Sequence, residues 1–136
     1  MTRAATLMAA VAVLAAAGCG GEAHDLFVVT RSGDVPGARL TLRVTDDGRA
    51  SCNGASLVEI TSDELIVARQ AERDLKKPAT AALRLPPGRE PVFSYRARSE
   101  DGTVAWSDDS QRQPAVLFRL AKLTRDVAKG ACHLAR

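Results

Sequence analysis

Between residues 40 and 52 apolar and polar side chains alternate. Leu40, Leu42 and Val44 interleave with Thr41, Arg43 and Thr45; after Asp46-Asp47-Gly48 the alternation resumes at Ala50 and Cys52. A period of two marks a strand with one buried face, and an Asp-Gly pair between two such runs marks a hairpin. With Val44 opposite Ala50, Leu42 falls opposite Cys52, so the cysteine faces the core. A second stretch has the same form. Phe93, Tyr95 and Ala97 alternate inward, Ser99-Glu100-Asp101-Gly102 reverses the chain, and Val104 and Trp106 alternate back. Asp47-Gly48 corresponds to Asp101-Gly102 and Cys52 to Trp106, a faint internal repeat.

Elsewhere the period changes. Asp25 to Thr30 carries the run Leu26-Phe27-Val28-Val29 and reads as a buried strand. Leu57 to Ile60 is a short strand or an extended lead-in. Thr61-Ser62-Asp63-Glu64 has the form of a capping box. The helix it opens carries an apolar stripe at Val67, Ala68, Ala71 and Leu75, flanked by Leu65, and should stop at about Lys77 because Pro78 follows. Gln70, Glu72, Arg73 and Asp74 make its solvated face. Residues 78–91 form a connector centred on Pro86-Pro87-Gly88. Pro114 suits the first turn of a closing helix that buries Val116, Leu117, Leu120, Leu123 and Val127, with Gly130 at its end. The expected fold is α+β: an antiparallel sheet built from a strand and two hairpins, with two helices on one face, in the order ββ(β)αββα.

The first residues do not fit that scheme. Arg3 precedes an apolar run from Ala4 to Ala17 that is too short to span a bilayer and reads as a secretory leader. Ala16-Ala17-Gly18-Cys19 resembles the lipobox of bacterial lipoproteins, in which the cysteine is lipidated and becomes the mature N-terminus. The alternative is an ordinary leader cut near Ala17. The expected organisation is therefore a lipoprotein signal peptide at 1–18, a flexible tether at 19–24, and one domain at 25–136. The resemblance implies a palmitate-type acyl anchor on Cys19. It places the protein outside the cytoplasm, tethered to the outer face of the cell membrane. Two or more acyl chains hold a protein stably where one does so marginally.

Cysteine arithmetic agrees. Setting Cys19 aside leaves Cys52 and Cys132, one pair for an oxidising compartment. Such a bridge would close a loop of roughly eighty residues, worth up to about 4–5 kcal/mol in the chain-entropy view.

Composition narrows the function. The net charge is +3, of which Arg3 leaves with the leader. The remaining excess is small and mixed with acids, with no basic run interleaved with aromatics, so no nucleic-acid partner is expected. His24 and His133 lack metal-ligand spacing, and a cysteine tied in a disulfide cannot act as a nucleophile. Asp46-Asp47 and Asp108-Asp109 lack the spacing of a calcium loop and suit turns and caps. No nucleophile elbow, P-loop or dinucleotide fingerprint occurs. The chain reads as having no catalytic residues, no metal ligands and no cofactor, and not as an enzyme.

What remains is the loop after the first strand. Arg31, Ser32, Gly33, Asp34, Val35, Pro36, Gly37 and Arg39 combine turn chemistry with flanking guanidinium groups and one apolar side chain expected at the surface. The plainer reading is a connector that is glycine-rich because it must bend. Val29-Thr30-Arg31-Ser32-Gly33-Asp34-Val35-Pro36-Gly37-Ala38-Arg39 resembles the Arg-x-Gly-Gly-Phe-x-Gly stretch of emfourin-type inhibitors of thermolysin-like metalloproteases. Asp34 and Val35 stand in for that family's second glycine and aromatic. The chain is also similar to small lipoproteins of high-GC Gram-positive bacteria, a likeness that supplies no function. The loop's residues suggest an envelope binding module for a protein partner, with Val35 as anchor and Arg31 and Arg39 at the rim, and the emfourin resemblance implies a secreted protease as that partner in its sharpest form. The competing reading is a small-ligand or metal carrier with a pocket lined by Phe93, Tyr95 and Trp106.

Overall fold

The computed structural model describes residues 21–135; the leader, Cys19 and Gly20 lie outside the described residues. The elements run β1 (Asp25–Ser32), β2 (Leu40–Thr45), β3 (Arg49–Cys52), β4 (Val58–Glu59), α1 (Ser62–Thr80), β5 (Ser94–Ser99), β6 (Gly102–Ser107) and α2 (Ala115–Lys129). All six strands form one antiparallel sheet in the order β4-β3-β2-β1-β5-β6, and the helices pack against it, the α+β architecture that the periodicities indicate.

The hairpin registers follow from the alternation. Val44 pairs with Ala50 and Leu42 with Cys52, while Tyr95 pairs with Trp106 and Ala97 with Val104. The first strand becomes the middle of the sheet, with β2 on one side and β5 on the other. Across it runs an inward row of Leu42, Val29, Ala97 and Val104, all fully buried. Burying the leucine and each valine of this row contributes about 1.5–3 kcal/mol.

The first helix opens at the Thr61 capping box: the Thr61 hydroxyl accepts from the Glu64 amide at 3.1 Å, and Glu64 accepts from the Thr61 amide at 2.8 Å. Its buried face is Ala68, Ala71, Leu75 and Ala79; Val67 and Leu65 are half-buried. Three alanines let the helix backbone approach β1, β5, β6 and α2 closely. The expected stop at Lys77 is corrected: the helix continues to Thr80 with Pro78 inside it. A proline in the last turn removes one amide from the ladder, and docking outweighs that loss. Ala79 is buried against the β5–β6 turn, where Gly102 packs on the Ala79 carbonyl with no room for a Cβ. The Ala81 amide reaches the Lys77 carbonyl at 3.1 Å, and Ala82 then adopts φ of +49°, ending the helix without a glycine.

The closing helix buries Val116, Leu117, Leu120, Leu123 and Val127, with Thr124 and Ala128 completing the face. Thr124 satisfies its buried hydroxyl on the Leu120 carbonyl at 2.7 Å. Beyond Gly130 the chain turns back, and Cys132 bonds Cys52 with the Cα atoms 6.2 Å apart. The C-terminal segment is thereby fastened to β3. At the other terminus, the His24 carbonyl accepts from the Asp46 amide at 2.8 Å, so the last residue of the expected tether is already joined to the sheet.

Candidate functional site

The loop between β1 and β2 is shaped by two devices. Pro36 and Gly37 form the corners of a tight turn: the Ala38 amide donates to the Val35 carbonyl at 3.1 Å, and Gly37 has φ of +76°. That combination requires glycine at the second corner and favours proline at the first. The second device is Arg31. Its Nε donates to the Ala38 carbonyl at 2.9 Å and its Nη2 to the Gly37 carbonyl at 3.1 Å, while the guanidinium lies 4.9 Å from the centre of the Phe93 ring.

This geometry corrects two expectations. Arg31 is not a rim cation; it is 3% exposed and braces the loop from beneath. It occupies an inward position of β1, opposite Leu40 on β2 and Tyr95 on β5. A buried cation is tolerated only where hydrogen bonds and favourable contacts replace its water, and two carbonyls and a ring face do so here. Val35 is half-buried rather than fully exposed, because the turn folds its backbone toward Ala38. Ser32, Gly33, Asp34, Pro36, Gly37 and Arg39 are exposed.

The loop also leans on a neighbour that the sequence reading did not assign to it. Gly33 sits against the Val92 carbonyl, where a Cβ would collide, and Ala38 and Phe93 close in on the same spot. Val92 itself is 47% exposed, an apolar side chain beside the loop. On the far side a depression of about 340 Å³ is lined by Pro36, Gly37, Arg39, Asn53 and Leu134. No local pattern links these segments; the pairing of β1 with β2 and β5 brings in Val92 and Phe93, and the β2–β3 pairing with the disulfide brings in Asn53 and Leu134.

Phe93, Tyr95 and Trp106 do not line an open pocket. Tyr95 and Trp106 stack at 5.1 Å with planes 11° apart, and Phe93 meets Tyr95 edge-on at 6.3 Å. With Arg31 over Phe93, the rings make a packed column, and Tyr95 and Trp106 are 7% and 3% exposed. Burial pushes the Tyr95 phenol up from its ordinary pKa, and the charge of Arg31 partly offsets this.

Three carboxylates of the two acidic pairs brace loops. Asp109 accepts from the Gly88 and Glu90 amides, each at 2.9 Å, and Asp108 from the Val92 amide at 3.1 Å. Asp47 accepts from Arg49 Nε at 2.8 Å and from the Thr45 hydroxyl at 2.5 Å; Arg49 first and Thr45 second hold its carboxyl below the usual range. Among the described residues no three His, Cys, Asp or Glu side chains are grouped to hold a metal ion. No helix of the described residues is long and apolar enough to cross a membrane. Cys132, bonded to Cys52, carries no free thiolate.

Comparison with known proteins finds no matching family model, no matching curated protein and no matching solved structure.

Proposed function

We propose that this protein is an exported, lipid-anchored envelope module that binds a protein partner through the loop joining β1 to β2. The observation that carries the reading is the brace under that loop: Arg31 holds the Gly37 and Ala38 carbonyls while leaving Ser32, Asp34 and Pro36 at the surface. A loop fixed before binding loses little conformational freedom when a partner closes on it, which is how rigid loops reach useful affinity from small areas. The position of the loop supports the same reading. It leaves β1 at Ser32, the opposite end from Asp25, where the tether enters. The loop therefore lies about 25 Å from the point where the tether enters the domain, the length of an eight-residue strand.

Inhibition of a thermolysin-like metalloprotease is the sharpest form of this proposal, resting on the resemblance of residues 29–39 to emfourin-type inhibitors. Titrating such a protease with the purified chain, using a peptide substrate as the readout, tests it directly. The parent should inhibit, and Val35→Asp should weaken binding by about 1–3 kcal/mol, the range for one aliphatic side chain removed from water. If the parent leaves the protease untouched, that form of the proposal is overturned. A partner recovered from the envelope that binds the parent and Val35→Asp equally would reduce the loop to a connector.

A further inference from the structure

The helices cover one face of the sheet. The other face is where side chains paired across β1, β5 and β6 point away from the buried rows. Arg96 pairs with Thr30 and Ala105, and Ala105 forms a bridge with Arg84 in the connector; Arg98 pairs with Val28 and Thr103. Arg84, Arg96 and Arg98 are all exposed, and they form no ion pair among the described residues. On β1 from Val28 onward, and on β5 and β6, no outward position holds Asp or Glu; Val28, Ala105 and hydroxyl side chains fill the rest, and toward the tether Arg98 shares a depression with Glu22, Asp25 and Glu100. The neighbouring Arg43 is different, since Asp25 and Glu22 engage it at 2.5 Å and 3.8 Å.

We infer that this arginine face is the surface on which the domain lies against an anionic bilayer, its guanidinium groups meeting lipid phosphates. The inference rests on the anchored reading for the nearness of the membrane. Cys19 lies six residues before Asp25, so the attachment point is within about 20 Å of the sheet even with the tether fully extended. Arg98 pairs with Val28, three residues along β1 from Asp25, which places it within about 12 Å of where the tether enters. A covalent lipid fixes attachment but not orientation. Three guanidinium groups that form no ion pair among the described residues, all on the face the helices leave open, supply the orientation once the tether lets that face come within a Debye length of the headgroups. The domain then lies with its sheet toward the headgroups and its helices outward. The β1–β2 loop stays free at the edge remote from the tether.

The test is arginine footprinting of the full chain reconstituted in phosphatidylcholine vesicles, with or without phosphatidylglycerol. Phenylglyoxal modification is read by peptide mass spectrometry. Arg84, Arg96 and Arg98 should react at least about threefold more slowly on the anionic vesicles, and high salt should abolish the difference. Arg73 and Arg125, exposed on the two helices, serve as controls and should react alike on both. Combining Arg96→Ser with Arg98→Ser should remove the protection of Arg84 while Trp106 fluorescence reports an intact fold. Equal rates on the two vesicle types would overturn the inference, as would protection of Arg73 and Arg125 instead. So would protection by dissolved polyphosphate but not by phosphatidylglycerol vesicles, which would assign the face to a soluble polyanion. Whether Cys19 is lipidated is read separately by fatty-acid labelling, so failure of the anchor and failure of the face give different results.

Discussion

Arg31 Nε lies 2.9 Å from the carbonyl oxygen of Ala38, so the strand that enters the candidate loop is bonded to the backbone that leaves it. With the second bond to Gly37 and the Phe93 ring beneath, one side chain ties together the two ends of the loop.

Removing that side chain should cost stability rather than alter salt dependence. Arg31→Ala leaves two carbonyls without their charged donor and should destabilise the domain by about 2–4 kcal/mol, given about 1.5–3 kcal/mol for a hydrogen bond to a charged group. Arg31→Lys should recover only part, because an ammonium lacks the planar fork that spans both carbonyls. Urea unfolding followed by the fluorescence of Trp106, the sole tryptophan, measures both. An Arg31→Ala protein as stable as the parent would show that the turn holds itself.

The Cys52–Cys132 bridge encloses everything from β4 to α2, with a sequence separation of 80. In the chain-entropy model, opening a loop of that size removes up to about 4.5 kcal/mol. Reduction, or Cys52→Ala with Cys132→Ala, should lower the melting temperature, and peptide mapping of the oxidised protein should show the two peptides joined. An unchanged melting temperature after verified reduction would contradict this.

Tyr95 is the sole tyrosine, so absorbance of the phenolate reports one site. Burial raises its pKa in the folded state, which means folding favours the neutral phenol. The sign follows from linkage: this contribution is fully present below the ordinary tyrosine value of about 10 and is lost as pH rises through the folded-state value. Phenolate should therefore appear later than in a free tyrosine, and stability should fall across the same alkaline range. Titration at the ordinary value, with flat stability, would place the ring in water.

Cys19 carries the membrane reading. Produced in its own host, the chain should incorporate a fatty-acid probe and partition with membranes, and Cys19→Ser should abolish the labelling. Labelling that survives the substitution would move the anchor elsewhere, and no labelling of the parent would leave an ordinary leader.

Local chemistry made much of the fold readable. Both hairpins were legible because strand alternation and an Asp-Gly turn act over a few residues, and the capping box at Thr61 is equally local. The helix end was not, since Ala79 is held against Gly102 by a contact between distant segments, which outweighs the proline rule. The role of Arg31 was hidden for the same reason. A cation next to a glycine-rich loop looks like surface until β5 pairs with β1 and places Phe93 and Tyr95 beside it. The arginine face is an intermediate case. The alternation Ser94-Tyr95-Arg96-Ala97-Arg98 puts both arginines outward, yet only sheet order shows that β6 and the part of β1 from Val28 onward face them without a carboxylate.

The central position of β1 has a mechanical meaning. A domain anchored before Asp25 and gripped by a partner beyond Ser32 would be pulled from both ends of a single eight-residue strand. Tension would then run along the covalent backbone of β1, perpendicular to the hydrogen bonds joining it to β2 and β5. The helices, the β5–β6 hairpin and the disulfide lie to the side of that line. Force between membrane and partner would pass through the molecule without having to unfold it.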